Sequence, residues 1–241
     1  MSREREPVGP AGLTRLDVLA SRRLAGEPVA RIAGEKEFYG LPFTLVPETL
    51  VPRPETEMLV DLGLEVLPLK APARILDIGT GTGCIAIALL VHRPEAKAVG
   101  VDLSSEACAC ARANAERHGV SDRFDSRTGS WFAPVADSER FELIVSNPPY
   151  IESAEIAALS REVREFDPLL ALDGGPDGLA PYREIAKAAP RFLSPGGSLA
   201  IEIGANQSGP VAALLEGAGL KAVAVKKDLA GLDRMVVAHH V

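Results

Sequence analysis

The sequence predicts an α/β protein built on a doubly wound, mostly parallel seven-stranded sheet. Three observations predict it. From Arg74 onward, strand and helix patterns alternate, which implies parallel strands with helices on both faces. The first strand of that series, Arg74 to Ile78, runs into a glycine loop and then an apolar helical stretch, Cys84 to Leu90. The last two strand patterns are separated only by Asp228 to Asp233, too short for a crossover helix, so the final strand should run antiparallel to its neighbour.

The elements follow in order. Leu13, Leu16, Leu19 and Leu24 suggest a short amphipathic helix in an N-terminal segment, 1–34. A β-hairpin linker over 35–52 is read from Glu37 to Leu45, with its turn expected at Gly40-Leu41-Pro42. A larger domain, 53–241, opens with Pro52-Arg53-Pro54-Glu55-Thr56-Glu57, where Arg53 and Glu55 can form a lid and Thr56 or Glu55 can start a helix carrying Met58, Leu59 and Leu62. Strands are expected at 74–78, 96–101, 123–128, 141–146, 198–203, 221–226 and 234–238, and helices near 83–92, 105–118, 180–192 and 207–218.

Two motifs carry chemistry. Phe141 to Ser146 reads as a strand that ends on Asn147-Pro148-Pro149-Tyr150. Two prolines lack amide donors and fix φ, so the ladder stops and the backbone takes one rigid shape. In an open α/β sheet that carboxyl end is where ligands bind. Asn147, Pro148, Pro149 and Tyr150 there present an amide side chain, carbonyls and a ring, able to grip a planar nitrogen by both hydrogens and cover its face. The bland reading of the turn is a surface loop.

The second motif is Asp77-Ile78-Gly79-Thr80-Gly81-Thr82-Gly83. Its spacing departs from the dinucleotide fingerprint, which would need glycine where Cys84 stands. Asp77 ahead of the loop suits a cationic ligand better than a pyrophosphate. S-adenosylmethionine, with a sulfonium and an ammonium, fits. Asp102 ends the next strand about twenty residues on, where nucleotide sites place an acid for ribose hydroxyls; otherwise it is a helix cap.

Composition agrees with a cytoplasmic globular protein: 241 residues, 46% hydrophobic and 24% charged. Neither a membrane-length apolar run nor a secretory leader is read. The net charge of −7 argues against bulk binding to nucleic acid. Cys84, Cys108 and Cys110 read as packed reduced thiols, and His92, His118, His239 and His240 as surface residues, so no metal site is expected.

On these motifs the chain resembles the class I S-adenosylmethionine-dependent methyltransferases. More narrowly it resembles the PrmC (HemK) family of protein-glutamine methyltransferases acting on peptide chain release factors. The resemblance runs from about Gly26-Glu27-Pro28-Val29 to the end, through Phe38-Tyr39-Gly40-Leu41, the Pro52 to Glu57 loop, and both motifs above. It continues through Glu165-Phe166-Asp167-Pro168, Leu172-Asp173-Gly174-Gly175-Pro176-Asp177-Gly178-Leu179, and Glu202-Ile203-Gly204 with Gln207. The glycine loop marks only the superfamily; the proline-flanked loop and the Asp-Gly-Gly segment are narrower. The family carries a longer helical N-terminal domain that docks the release factor, so 1–34 reads as a shortened version.

The resemblance implies S-adenosylmethionine as cofactor, with Gly79, Thr80, Gly81, Thr82 and Gly83 along its methionine part. It places Asp77 and Asp102 with the cofactor too, Asp102 on the ribose, Trp131 beside the adenine, and Asn147 in reach of both ligands. It implies release factors as protein partners, no membrane or direct nucleic-acid partner, and a monomer. Two rival readings stay open at this stage: methylation of an exocyclic adenine amine, which needs base flipping, and a binding module that keeps the fold without activity.

Overall fold

The computed structural model describes residues 9–241. Two helices, α1 (Pro10–Leu24) and α2 (Val29–Ala33), lead into a hairpin of β1 (Glu35–Phe38) and β2 (Leu41–Thr44). Its turn is Tyr39-Gly40, one residue earlier than expected, and Pro42 lies inside β2. Both turn residues have positive φ, 53° and 75°, the backbone a two-residue hairpin needs to match strand twist. Proline is tolerated at position 42 because the hairpin has only two strands.

A 3-10 turn, Pro54–Thr56, enters α3 (Glu57–Val66). The alternating series then runs β3 (Ala73–Ile78), α4 (Cys84–His92), β4 (Ala96–Asp102), α5 (Ser105–Arg117), β5 (Phe124–Thr128) and β6 (Phe141–Ser146). After α6 (Arg161–Phe166) come α7 (Ala180–Phe192), β7 (Leu193–Glu202), α8 (Ser208–Gly217), β8 (Lys221–Lys227) and β9 (Asp233–His239). β7 starts five residues before the expected 198, with a register shift against β6 between Phe141 and Leu143.

The seven-stranded sheet has the order β5-β4-β3-β6-β7-β9-β8. All pairs are parallel up to β7, and β9 runs antiparallel to both β7 and β8, as the short connection requires. Side chains alternate between its faces: Ile75, Leu143 and Val145 pack with α3, α4 and α5, while Leu76, Ile144 and Leu199 pack with α7 and α8. Helix α4 is buried from Cys84 to Leu90, which explains a stretch apolar on every side.

Chain order reverses between β3 and β6, so the crevice at their carboxyl ends is the place a ligand enters such a sheet. The hairpin is tied to this region by buried Asn114 of α5. Its Oδ1 accepts from Thr44 N at 2.9 Å, and its Nδ2 donates to Thr44 O at 3.1 Å and Thr82 O at 2.9 Å. His118, His239 and His240 are half-buried rather than on the surface. The His118 ring packs 5.1 Å from that of Phe43, and His239 Nδ1 lies 3.0 Å from Ser198 Oγ. The three cysteines are free and buried. No described helix is long and apolar enough to cross a membrane.

Candidate active site

A cavity of about 440 Å³ opens at the switch point. Its floor is the loop after β3, with Gly79 to Thr82 in the wall. Gly79 and Gly81 have φ of 74° and 53°; a Cβ on Gly81 would meet nothing within 4 Å. A Cβ on Gly79 would meet only Asn147 O, at 4.0 Å, so both positions present bare backbone on which a ligand can lie. Gly83, φ 80°, lies outside the wall and caps α4.

Asp77 does not reach the cavity wall. It is fully buried beneath the loop, where Thr80 Oγ1 donates to its Oδ2 at 2.8 Å and its Oδ1 has no partner. Burial pushes its pKa up to about 7. The folded value lies above the unfolded one of 3.8. The stability Asp77 contributes is therefore full below pH 3.8 and is lost as pH rises through 7. Asp77→Asn is expected to gain stability over the unaltered protein at pH 8, on the order of a few kcal/mol, and little at pH 4. Denaturant melts at the two pH values check this; an equal difference at both would rule out a charge effect.

Asp102 lies in the wall at the end of β4. Its Oδ2 accepts from Gly81 N at 2.9 Å and its Oδ1 from Ser104 N at 3.0 Å, so it braces the loop and the start of α5. Burial raises its pKa, opposed by those backbone donors. Ser104 supplies the cap of α5 itself, its side chain accepting from Ala107 N, which leaves Asp102 aimed at the cavity rather than spent as the cap. Trp131 also lines the wall, on a backbone with φ 50°.

Asn147 and Pro149 reach the wall from β6, opposite the glycine loop. Pro148 is buried, and neither it nor Tyr150 forms part of the wall. The Tyr150 ring turns toward Gly204, where an added Cβ would meet its Cδ2 at 3.4 Å. The turn is held by two segments. Ile151 N donates to Leu172 O at 3.0 Å and Gly174 N to Ile151 O at 2.8 Å, zipping the Asp-Gly-Gly stretch alongside it. Gln207 Nε2 donates to Tyr150 O at 2.9 Å while its Oε1 accepts from Gly204 N at 2.9 Å.

The fold joins to Asn147 two side chains that the sequence does not connect with it. Its Nδ2 donates to Thr56 Oγ1 at 3.0 Å, and Thr56 Oγ1 donates to Glu202 Oε2 at 2.6 Å. Thr56 stands at the N-cap of α3, but its side chain makes no capping bond to the helix. Glu202, at the end of β7, is buried, and its pKa is pushed up to about 7 by desolvation, opposed by the Thr56 hydroxyl and Arg234. Proximity of strand ends was the only signal for it. Arg53 lines the cavity mouth, but its partner is Asp167, Nη2 to Oδ2 at 2.6 Å, and not Glu55. Asp167 also takes Arg31 of α2 at 3.0 Å. Among the described residues, no group of three or more His, Cys, Asp or Glu is placed to hold a metal.

Comparison with known proteins adds identity to this geometry. The family model for the methyltransferase small domain matches residues 56–175. The release factor glutamine methyltransferase of Cereibacter sphaeroides is 48% identical over 233 residues, covering 97% of this chain and 82% of its own length. That of Agrobacterium fabrum is 45% identical over 234 residues, covering 95% and 80%. A methyltransferase from Pyrococcus furiosus superposes with a TM-score of 0.60 at 17% identity, over 95% of this chain and 99% of its own, a likeness of fold alone.

Proposed function

The chain belongs to the release factor glutamine methyltransferases, and we propose that it methylates the side-chain amide nitrogen of the glutamine in the Gly-Gly-Gln motif of peptide chain release factors, with S-adenosylmethionine as donor. The observation that carries the reading is Asn147, which shares one cavity with the bare backbone of Gly79 and Gly81.

The residues present fit that cofactor. The wall offers open glycine backbone, the carboxylate of Asp102 and the Trp131 ring, and beneath the loop lies a second acid with an unpartnered oxygen. This set suits a cationic nucleoside and lacks the G-x-G-x-x-G spacing of a pyrophosphate site. Asp102 is assigned to the ribose hydroxyls, Trp131 to the adenine, and Gly79 to Thr82 to the methionine part. Asp77 and Gly83 act through the loop they support. Bound S-adenosylmethionine supplies a methyl group on a sulfonium, which leaves as a neutral thioether.

The chain's own task is alignment. An amide nitrogen is a poor nucleophile because its lone pair is shared with the carbonyl. Asn147 Oδ1 accepts one of its hydrogens, holds it toward the methyl, and favours the positive charge that develops there, while Pro148, behind the wall, keeps the turn rigid. The nitrogen gains a methyl and releases one proton to solvent. Tyr150 fixes the turn through its backbone, while Pro149 supplies apolar wall.

The test is mass spectrometry of a release factor incubated with the protein and isotopically labelled S-adenosylmethionine. One methyl on the Gly-Gly-Gln glutamine is expected. A methyl only on another side chain, or on adenine when DNA is offered, would overturn the assignment.

A further inference from the structure

The hydrogen bonds behind Asn147 have a direction. A carboxylate can only accept, so the hydroxyl hydrogen of Thr56 is spent on Glu202 at 2.6 Å. Thr56 Oγ1 is then left as an acceptor, and the only end of the Asn147 amide it can take is the NH2, at 3.0 Å. That directs Asn147 Oδ1 away from Thr56, free to accept. The amide is otherwise nearly symmetric in shape. Turned over, it would present donors to a substrate nitrogen that itself carries only hydrogens.

We infer that Glu202, acting through Thr56, is a positioning residue that sets which face of the Asn147 amide meets the substrate, and that its protonation releases this orientation. A protonated Glu202 can donate to Thr56 Oγ1. The Thr56 hydrogen is then free to turn toward Asn147 Oδ1, and the inverted amide becomes equally well bonded. This rests on the functional reading above and adds to it a pH-dependent control of the same site.

The surroundings of Glu202 allow the switch. It is 3% exposed at the end of β7. The groups facing it are Arg234 from β9, Glu55 from the turn before α3, Tyr150 from the turn after β6, and Tyr182 from α7, whose hydroxyl donates to the Glu202 backbone carbonyl at 3.2 Å. Arg234 and the Asn147 amide favour the charged form and Glu55 opposes it, while Arg234 is itself paired with Asp228 at 3.2 Å. Desolvation outweighs the single cation, so the carboxyl titrates near 7, within the working range of an enzyme.

The experiment measures single-turnover glutamine methylation from pH 6 to 8.5, with cofactor affinity measured in parallel. In the unaltered protein the rate should rise through about pH 7. Glu202→Gln keeps the shape but can either donate or accept. It should lose the pH dependence and run slower at pH 8, on the order of tenfold to a hundredfold for a misplaced positioning group, with cofactor affinity unchanged. Thr56→Val should be slow at every pH, and Thr56→Ser should restore most of that rate. Should Glu202→Gln fail to fold, the unaltered protein still decides the matter by NMR. The side-chain NH2 signals of Asn147, assigned by their loss in Asn147→Ala, should titrate near pH 7. A Glu202→Gln protein that keeps the pH rise and the rate, or Asn147 signals flat from pH 6 to 8.5, would overturn the inference. No glutamine methylation by the unaltered protein at any pH would instead overturn the functional reading on which it rests.

Discussion

Asn147→Ala is expected to lower methyl transfer on the order of a hundredfold or more while leaving the fold intact. The lost group is the Oδ1 acceptor that holds the substrate nitrogen. The turn survives because Pro148 and Pro149 keep their φ and because Gln207 and the strand-like pairing of Ile151 with Asp173 still hold it. Asn147→Asp is the sharper variant. It retains an acceptor but places a second carboxylate one hydroxyl away from Glu202, and two such groups do not both stay charged in a buried site. It also removes the donor to Thr56. Turnover should fall strongly with cofactor affinity partly kept. Single-turnover methylation, cofactor titration and circular dichroism together check both variants. Near-wild-type turnover in a folded Asn147→Ala protein would reduce Asn147 to a turn residue.

Asp167→Ala is expected to carry a large stability cost. The Asp167 side chain is 1% exposed and bonds Arg31, 8% exposed, and Arg53, 40% exposed. Removing one partner from a buried pair typically costs about 3–5 kcal/mol, because the remaining charge stays desolvated. Arg31 keeps bonds to Val46 O, at 2.6 Å, and to Thr49 O. Arg53 is exposed enough to find water, so the pair with it adds little. About 3 kcal/mol is the expected loss by urea denaturation. Arg53 would also lose its anchor at the cavity mouth, so KM for the release factor should rise more than kcat falls. A loss below about 1 kcal/mol, the value of an exposed pair, would show that Arg31 is satisfied by the carbonyls alone.

Both variants touch residues that the sequence singles out only in part. Asn147 is legible because two prolines after a strand leave few backbone choices. Asp167 stands in a recognisable segment, but nothing local says that it bridges Arg31 and Arg53. The same holds for the lid, where adjacency in sequence suggested Arg53 with Glu55 and the fold supplied Asp167 instead. The hairpin turn was displaced by one residue because positive φ at Tyr39 is unusual for a bulky residue. It is paid for here by contacts far along the chain: Tyr39 N donates to Glu57 Oε1 at 2.8 Å and Tyr39 OH to Asp61 Oδ1 at 2.7 Å.

What the sequence determined by itself is local. Alternating strand and helix periods specify a parallel sheet, the length of 228–233 specifies an antiparallel last strand, and glycine and proline positions specify the two loops that face each other. These follow from backbone sterics and side-chain periodicity, which act over a few residues. The tertiary structure alone decided how groups far apart in the chain meet. Thr56, Asn147 and Glu202 come from three elements, 91 residues separating Thr56 from Asn147 and 146 separating Thr56 from Glu202. Asp77, next to the loop in sequence, is turned beneath it by strand alternation, while Asp102, one strand over, meets the cavity. The orientation of an amide and the charge of a buried carboxyl depend on such neighbours. Hydrogen bonding and desolvation act through space, and the sheet order fixes which residues share that space.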